Sequence, residues 1–299
     1  MRRSGYAIAL MVLANLFWSG NYIAGRLLGP AMPALFLNGV RWGVSAILLL
    51  LIVRARGGLV PLRREAGLFT VLGLLGMFLF SALTYLGLQQ VPAAQAGMIS
   101  GLMPVTIMLF GAVLTRERPT LLGWIGTLLA VFGVLLLVGV QFGNGMPLAG
   151  ALELLAAAVS WGAYTALGRR AKDRMAPLEL TAGAATFGAV PSVLAGLISL
   201  HGATLHITLL TMLALAYVCT VASVVAYWAW NQGVAIVGTA RSAPLGNLLP
   251  VFTVALGIAL LGERVTLLEI VGGVVIVAGA LLSQIEPGGA RRVQRDTAT

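Results

Sequence analysis

The sequence predicts an all-α integral membrane protein: ten transmembrane helices arranged as two inverted five-helix repeats around a central cavity. Three observations carry this. The chain holds ten long apolar runs, and the second five echo the first five. Each set is odd in number, so the second copy must cross the bilayer in the opposite sense to the first.

Composition fixes the solvent. Hydrophobic residues make up 59% of the 299 and charged residues 9%, against roughly 45–50% and 25% in soluble domains. Too little polar surface remains to coat a water-soluble globule. The formal net charge of +10 does not point to nucleic acid, because the arginines sit in short loops between apolar runs. Cys219, the single cysteine, excludes an internal disulfide. Met1-Arg2-Arg3 has the look of a signal-peptide start. The run behind it is long for a cleaved segment, however, and its Trp18 and Arg26 recur in the second half, so retention is expected.

The expected spans are 5–25, 33–53, 66–89, 92–115, 121–140, 149–169, 177–200, 206–232, 238–261 and 266–284. Each is a run of Leu, Val, Ala and Gly about 20 residues long, the length that crosses a bilayer as a helix. Turn signals divide them. Gly29-Pro30 and Pro33 close the first run, Gly57-Gly58 and Pro61 the second, and Val91-Pro92 the third. Pro119, Gly143-Asn144-Gly145, Pro177 and Gly202 mark later boundaries, since Gly and Pro interrupt regular structure.

Basic residues set the orientation, because cytoplasmic loops collect Lys and Arg. With a cytoplasmic N-terminus, the inner segments hold Arg2, Arg3, Arg54, Arg56, Arg63, Arg64, Arg116 and Arg118. They also hold Arg169, Arg170, Lys172, Arg174, Arg291, Arg292 and Arg295, with Arg241 as a further member. Only Arg26, Arg41 and Arg264 fall outside. Both termini are therefore expected inside a bacterial inner membrane.

The repeat is visible residue by residue. Shifting 87–136 by 146 positions gives 18 identities in 50 without gaps. Pro104-Val105 falls on Pro250-Val251, Glu117-Arg118 on Glu263-Arg264, and Gly126 and Gly133 on Gly272 and Gly279. A shift of 143 carries Trp18, Gly25 and Arg26 onto Trp161, Gly168 and Arg169. The units are 5–145 and 146–285, followed by a basic cytoplasmic tail, 286–299.

These motifs resemble the EamA-type repeats of the drug/metabolite transporter superfamily. The likeness rests on Trp18 to Arg26 and its copy Trp161 to Arg169, on Arg41-Trp42 leading into Ala46 to Leu50, and on the Pro…Glu-Arg…Gly…Gly pattern of each half. It spans roughly 5–285. The resemblance implies a ten-helix carrier with a central cavity lined from both halves, often exporting amino acids, related metabolites or drugs; bacterial exporters of amino acids, aromatic ones included, are the nearest fit. Small four-helix multidrug relatives carry an embedded glutamate in their first helix. Residues 5–25 hold no acid, which speaks against proton exchange of that type.

Polar and aromatic side chains within spans are the informative minority, since hydrocarbon penalises polar groups. Asn15, Trp18 and Tyr22 share one face of the first helix, with Asn21 adjoining; Trp161 and Tyr164 stand on the sixth, beside Ser160. Phe78, Ser81 and Tyr85 come from the third; Tyr217, Thr220, Ser223, Tyr227, Trp230 and Asn231 form a stripe on the eighth. As a cavity wall, the rings would hold an apolar side chain or a cation's face, and the polar groups an amine or carboxylate. The competing reading is interfacial belts and helix–helix glue. It is preferred for Tyr6, Trp42 and Trp124, near span ends, and not for Trp18 and Trp161, deep in theirs.

Arg41 is either a buried grip for a substrate carboxylate or a side chain snorkelling to the outer headgroups, being eight residues from Pro33. Pro104 and Pro250 interrupt corresponding helices and are hinge candidates, with shape kinks as the alternative. Glu153 and Glu269 are the only carboxylates placed to carry a proton, and neither is favoured in that role. His201 and His206, the only histidines, share an outer loop with no Cys cluster. Neither a metal site nor a cofactor is expected, and no nucleophile elbow or phosphate loop suggests an enzyme. The expected partners are a small-molecule substrate and membrane lipid, with no nucleic acid. Efflux of lipophilic cations or drugs is the alternative activity, and a membrane structural protein the alternative class.

Overall fold

A computed structural model describes residues 2–114, 119–142, 147–168, 174–237 and 243–283. The turn at Gly143-Asn144-Gly145, the basic residues Arg116, Arg118, Arg169, Arg170, Lys172 and Arg241, Glu117 and the tail from 286 lie outside the described residues.

Among the described residues ten helices follow in order. They are α1 (Arg2–Leu28), α2 (Ala34–Ala55), α3 (Ala66–Gln90), α4 (Ala93–Leu114) and α5 (Leu121–Phe142), then α6 (Leu148–Gly168) and α7 (Pro177–Ser199). The rod α8 joins Leu209–Thr220, Val221–Val225 and Ala226–Val237; α9 is Leu248–Leu261 and α10 Leu267–Ser283. No strand occurs among the described residues. Seven helices (α1–α4 and α6–α8) are long and apolar enough to cross a membrane, and α5, α9 and α10 carry the shorter apolar stretches Leu121–Leu137, Leu245–Leu261 and Leu267–Ser283.

Local chemistry explains the ends. Pro33 and Pro92 precede α2 and α4 with extended backbone, where a missing N–H costs a helix nothing. Gly57 and Gly262 adopt φ of +75° and +64° beyond α2 and α9, a conformation that favours glycine. Glu179 returns to the Ala176 N–H at 3.1 Å to start α7. Thr266 and Glu269 form a reciprocal cap on α10, with the Thr266 N–H donating to Oε2 and the Glu269 N–H to Thr266 Oγ1.

Two helices carry wide π-type turns, Gly73–Leu79 in α3 and Val221–Val225 in α8. The 146-residue shift superposes 73–79 on 219–225, so the irregularity recurs with the repeat. Side chains meet the exposed carbonyls of the first: Ser160 Oγ donates to Leu75 O at 2.8 Å, and Asn38 Nδ2 to Phe78 O at 3.4 Å. The helical breaks do not fall at the prolines. In α4 the break is at Gly101-Leu102, whose N–H groups bond three residues back; in α9 a 3₁₀ turn, Ala243–Asn247, replaces the expected first turns of the span. Pro104 and Pro250 stand just beyond, in the first turn of the next helical stretch, where an N–H has no intrahelical acceptor to lose. The eighth span also starts late, at Leu209, because the His206 N–H pairs with Ala31 O.

Among the described residues, three pairs of helices at equivalent places in the two halves pack on one another, and they run antiparallel. Along α2 and α7, Leu35 and Phe36 back onto Gly196 while Gly39 meets Ser192. Along α4 and α9, Ala94 faces Gly257, Gly97 faces Thr253 and Gly101 faces Pro250. Along α5 and α10, Gly126 meets Gly279 and Gly133 meets Gly272. Small residues let backbones approach closely where lipid offers no hydrophobic drive for association. A Cβ on Gly133 would fall 2.8 Å from the Ile276 backbone nitrogen, so this seam requires glycine.

The two ends of the bundle are distinct. At one, Arg174 reaches Glu65 at 3.3 Å and Gly58 lies beside Glu179. At the other, Arg26 donates to Leu88 O and Gln89 O, Gln90 to Glu153, and the Ala93 and Ala94 N–H groups to Glu263. Since Arg26 stands in the last turn of α1, the helix starts at the Arg174–Glu65 end.

Candidate functional site

Arg41 organises the middle of the molecule. It sits on α2 with 3% of its surface exposed, and it turns inward rather than out to headgroups. Its Nε donates to Ser223 Oγ on α8 at 2.8 Å and its Nη1 to the Tyr85 hydroxyl on α3 at 2.9 Å. The Tyr85 hydroxyl in turn donates a hydrogen bond to Asn21 Oδ1 on α1 at 2.8 Å. No carboxylate pairs with Arg41 among the described residues. A cation at mid-helix costs about 3 kcal/mol on insertion scales, and hydroxyls offset that cost without neutralising the charge.

Two aromatic rings flank the cation. Its guanidinium carbon lies 4.9 Å from the Trp42 ring centre and 5.7 Å from that of Tyr85, within cation–π range. Trp42 Nε1 donates to Ser81 Oγ at 2.9 Å, and its ring meets Tyr227 edge-on at 6.2 Å. Tyr227 meets Trp18 at 5.4 Å, and Trp18 meets Trp230 at 5.6 Å. Ser45, one turn after Arg41, bonds to both Arg41 O and Cys219 O at 2.6 and 2.9 Å, fixing α2 against α8. Side chains from both halves of the chain thus meet on one charge.

A second aromatic group stands beside the first. Trp161 lies 4.8 Å from Phe80 and 5.2 Å from Tyr164, and Tyr164 is pressed against Gly76. Tyr22 is buried in the same core cluster as Tyr85. Asn15 donates back to Met11 O at 2.8 Å and leaves Oδ1 unpartnered.

Sequence reasoning therefore named Trp18, Tyr22, Arg41, Ser81, Tyr85 and Tyr227 in one neighbourhood, and Trp161 and Tyr164 in an adjoining one. Phe78 is half-buried in the α3 π turn, and the ring that touches Trp161 is Phe80. Asn231 lies elsewhere: with Trp228 it lines a cavity of about 250 Å³ at the end where α1 begins. Tyr6 and Trp124 are 57% and 47% exposed, as belt residues should be, whereas Trp42 is fully buried. The belt reading of Trp42 is thus corrected: proximity to a span end does not reveal which way an indole faces. Ser45 and Ser223 complete the site; Ser45's spacing of four from Arg41 was the available signal. The eighth-helix stripe does not hold as one face. Thr220 is exposed and Ser223 buried, because the π turn adds a residue between them and rotates the rest of the helix. Tyr217 serves as glue, donating to Phe17 O at 2.8 Å.

Both candidate proton carriers have structural partners. Glu269 caps α10 and accepts from Gln95 Nε2 at 2.7 Å; Glu153 accepts from Gln90 at 2.9 Å.

Comparison with known proteins places this architecture. The EamA-like transporter family matches residues 5–139 and again 148–284. A "probable amino-acid metabolite efflux pump" of Salmonella typhimurium is 29% identical, the alignment covering 94% of this chain and 95% of the relative. A "probable terminal-alkyne amino-acid exporter" of Streptantibioticus cattleyicolor is 27% identical, with 96% of each covered. An uncharacterised transporter of Bacillus subtilis is 28% identical over 81% of each. A protein of known crystal structure, 22% identical, shares the fold with a TM-score of 0.67 over 95% of this chain and 99% of its own. This chain is a multi-pass membrane protein that belongs to the EamA-like transporter family.

Proposed function

We propose that the protein exports amino acids, aromatic or other neutral ones among them, or closely related carboxylate-bearing metabolites, across a bacterial inner membrane with both termini in the cytoplasm. One observation carries the reading: Arg41, a buried cation with no carboxylate partner among the described residues, sits against the Trp42 and Tyr85 rings, with Tyr227 of the second half packed on Trp42. A substrate carboxylate would supply the missing charge, and Trp18, Trp42 and Tyr227 an apolar wall for its side chain. The names of two relatives support this class. Efflux of lipophilic cations, the other activity the family resemblance allows, is disfavoured by a fixed positive charge at the same place.

Alternating access suits the geometry. The antiparallel pairing of α2 with α7, α4 with α9 and α5 with α10 supports two inverted repeats. Rocking one half against the other would then break the Arg41–Ser223 bond and rebuild it around substrate. Pro104 and Pro250, beyond equivalent breaks, remain the hinge candidates.

The experiment is efflux of labelled leucine and phenylalanine from proteoliposomes. Arg41→Met should abolish or severely slow it, while the folded, monodisperse protein is still recovered. Undiminished flux through Arg41→Met would overturn the reading.

A further inference from the structure

The cavity of about 250 Å³ lies away from Arg41, where α2 ends and α7 begins. Its wall is mostly apolar, Val53 and Trp228 included, with two opposite charges and two amides set into it: Arg56, Glu179, Asn231 and Gln232. Arg56 is the residue that ends α2, held by backbone bonds to Ile52 O and Val53 O. Glu179 is anchored through Oε2 by the Ala176 N–H, and Oε1 lies beside Gly58. Arg56 and Glu179 form no ion pair with each other. The backbone of Arg56 is fixed by the helix end while its exposed guanidinium reaches from there, and the Glu179 carboxylate is held by one oxygen and leaves the other to bond.

We infer that this cavity is a vestibule subsite for a zwitterionic amino acid, with its carboxylate at Arg56, its ammonium at Glu179 and its side chain on Trp228. This inference rests on the proposed function and adds where the substrate is first held. Three features support it. The charges are of both signs, so a simple anion or cation would leave one of them uncompensated. The volume falls just short of the ~300–1,000 Å³ typical of pockets for drug-sized ligands, which suits a single small metabolite. And a file of rings leads from the helix turn that lines the cavity toward the deep site: Trp230, next to Asn231 in the chain, touches Trp18, which touches Tyr227, which touches Trp42 beneath Arg41. The aromatic chain lies between a shallow station with charges of both signs and a deep one with a lone cation.

The test reads the vestibule directly. In a Cys219→Ala background, Gln232→Cys at the cavity rim is labelled with a maleimide, with and without L-phenylalanine. Phenylalanine should slow labelling, and should still do so when Arg41→Met has disabled the deep site. Arg56→Gln or Glu179→Gln should raise the concentration for half-protection roughly three- to fivefold, the scale of a part-exposed charge contact. Glutamine at 179 can still cap α7, so a change there reports lost charge rather than a lost helix end. Phenethylamine and 3-phenylpropionate, each lacking one charge, should protect less well than phenylalanine.

If Arg41→Met abolishes protection, or if no protection occurs while the wild type still transports phenylalanine, the vestibule is wrong and the proposed function stands. If the wild type moves neither leucine nor phenylalanine, the function falls and the vestibule with it. Protection by phosphatidylethanolamine, whose headgroup also pairs an anion with an ammonium, and not by phenylalanine would make the cavity a lipid site and overturn the inference.

Discussion

The Nε of Arg41 on the second helix and the hydroxyl of Ser223 on the eighth lie 2.8 Å apart, joining the two halves of the chain across 182 residues. Ser223 in turn donates to Val218 O, five residues back, inside the π turn of α8. The widened turn presents the hydroxyl, and the hydroxyl holds the cation.

Arg41→Lys separates charge from geometry. Lysine keeps the positive charge but loses the planar fork that serves Ser223 and Tyr85 together. Flux should persist with a KM raised roughly 10- to 100-fold, the loss of one charge-assisted hydrogen bond worth about 1.5–3 kcal/mol. Concentration-dependent uptake in proteoliposomes measures this. An unchanged KM would show that Arg41 needs no fork.

Trp42→Phe keeps the ring against Tyr227 and removes the indole donor to Ser81. The buried Ser81 hydroxyl then loses a partner, at about 1–3 kcal/mol. Thermal unfolding in detergent should shift downward, and the double variant Trp42→Phe/Ser81→Ala should recover part of the loss.

Gly133→Val attacks the seam between α5 and α10, where any Cβ meets the Ile276 backbone. Overpacking of this kind costs about 1–3 kcal/mol. The melting temperature should fall while the KM of the remaining folded protein stays unchanged, since the seam carries none of the Arg41 contacts. A shift in KM would tie the seam to the site.

Glu263 holds the start of α4 through two bonds of 2.7 Å, one from each of the Ala93 and Ala94 N–H groups. Glu263→Ala leaves both donors bare and should cost about 0.5–2 kcal/mol, as helix-cap deletions do. Maleimide accessibility of cysteines placed near Ala93 should rise with the fraying.

Glu269 and Glu153 are engaged as a cap and as an amide partner, structural roles that speak against proton shuttling. Flux should be equal with and without an imposed pH gradient, and Glu269→Gln, which preserves the capping box, should transport normally. Strict dependence on the gradient would return both acids to consideration.

The amino-acid sequence determined the class of fold, the number of helices and the duplication. Those depend on hydropathy and on residue identity at fixed spacing, both of which survive in one dimension. It also singled out Arg41, Trp18, Tyr85 and Tyr227, since polar and aromatic groups in an apolar run must have a reason to be there. Only the tertiary structure decided which way each faced. Arg41 and Trp42 turned inward because Tyr85, Ser81 and Ser223, from two other helices, satisfy their donors, and no local pattern encodes a partner 39 to 182 residues away. The π turn in α8 defeated helical spacing by adding a residue to one turn, which set Thr220 toward the surface and Ser223 against the cation. Asn231 went to the far cavity for a different reason: it stands one turn beyond Tyr227 in the regular stretch after the π turn, and a shared face does not fix depth along the helix axis.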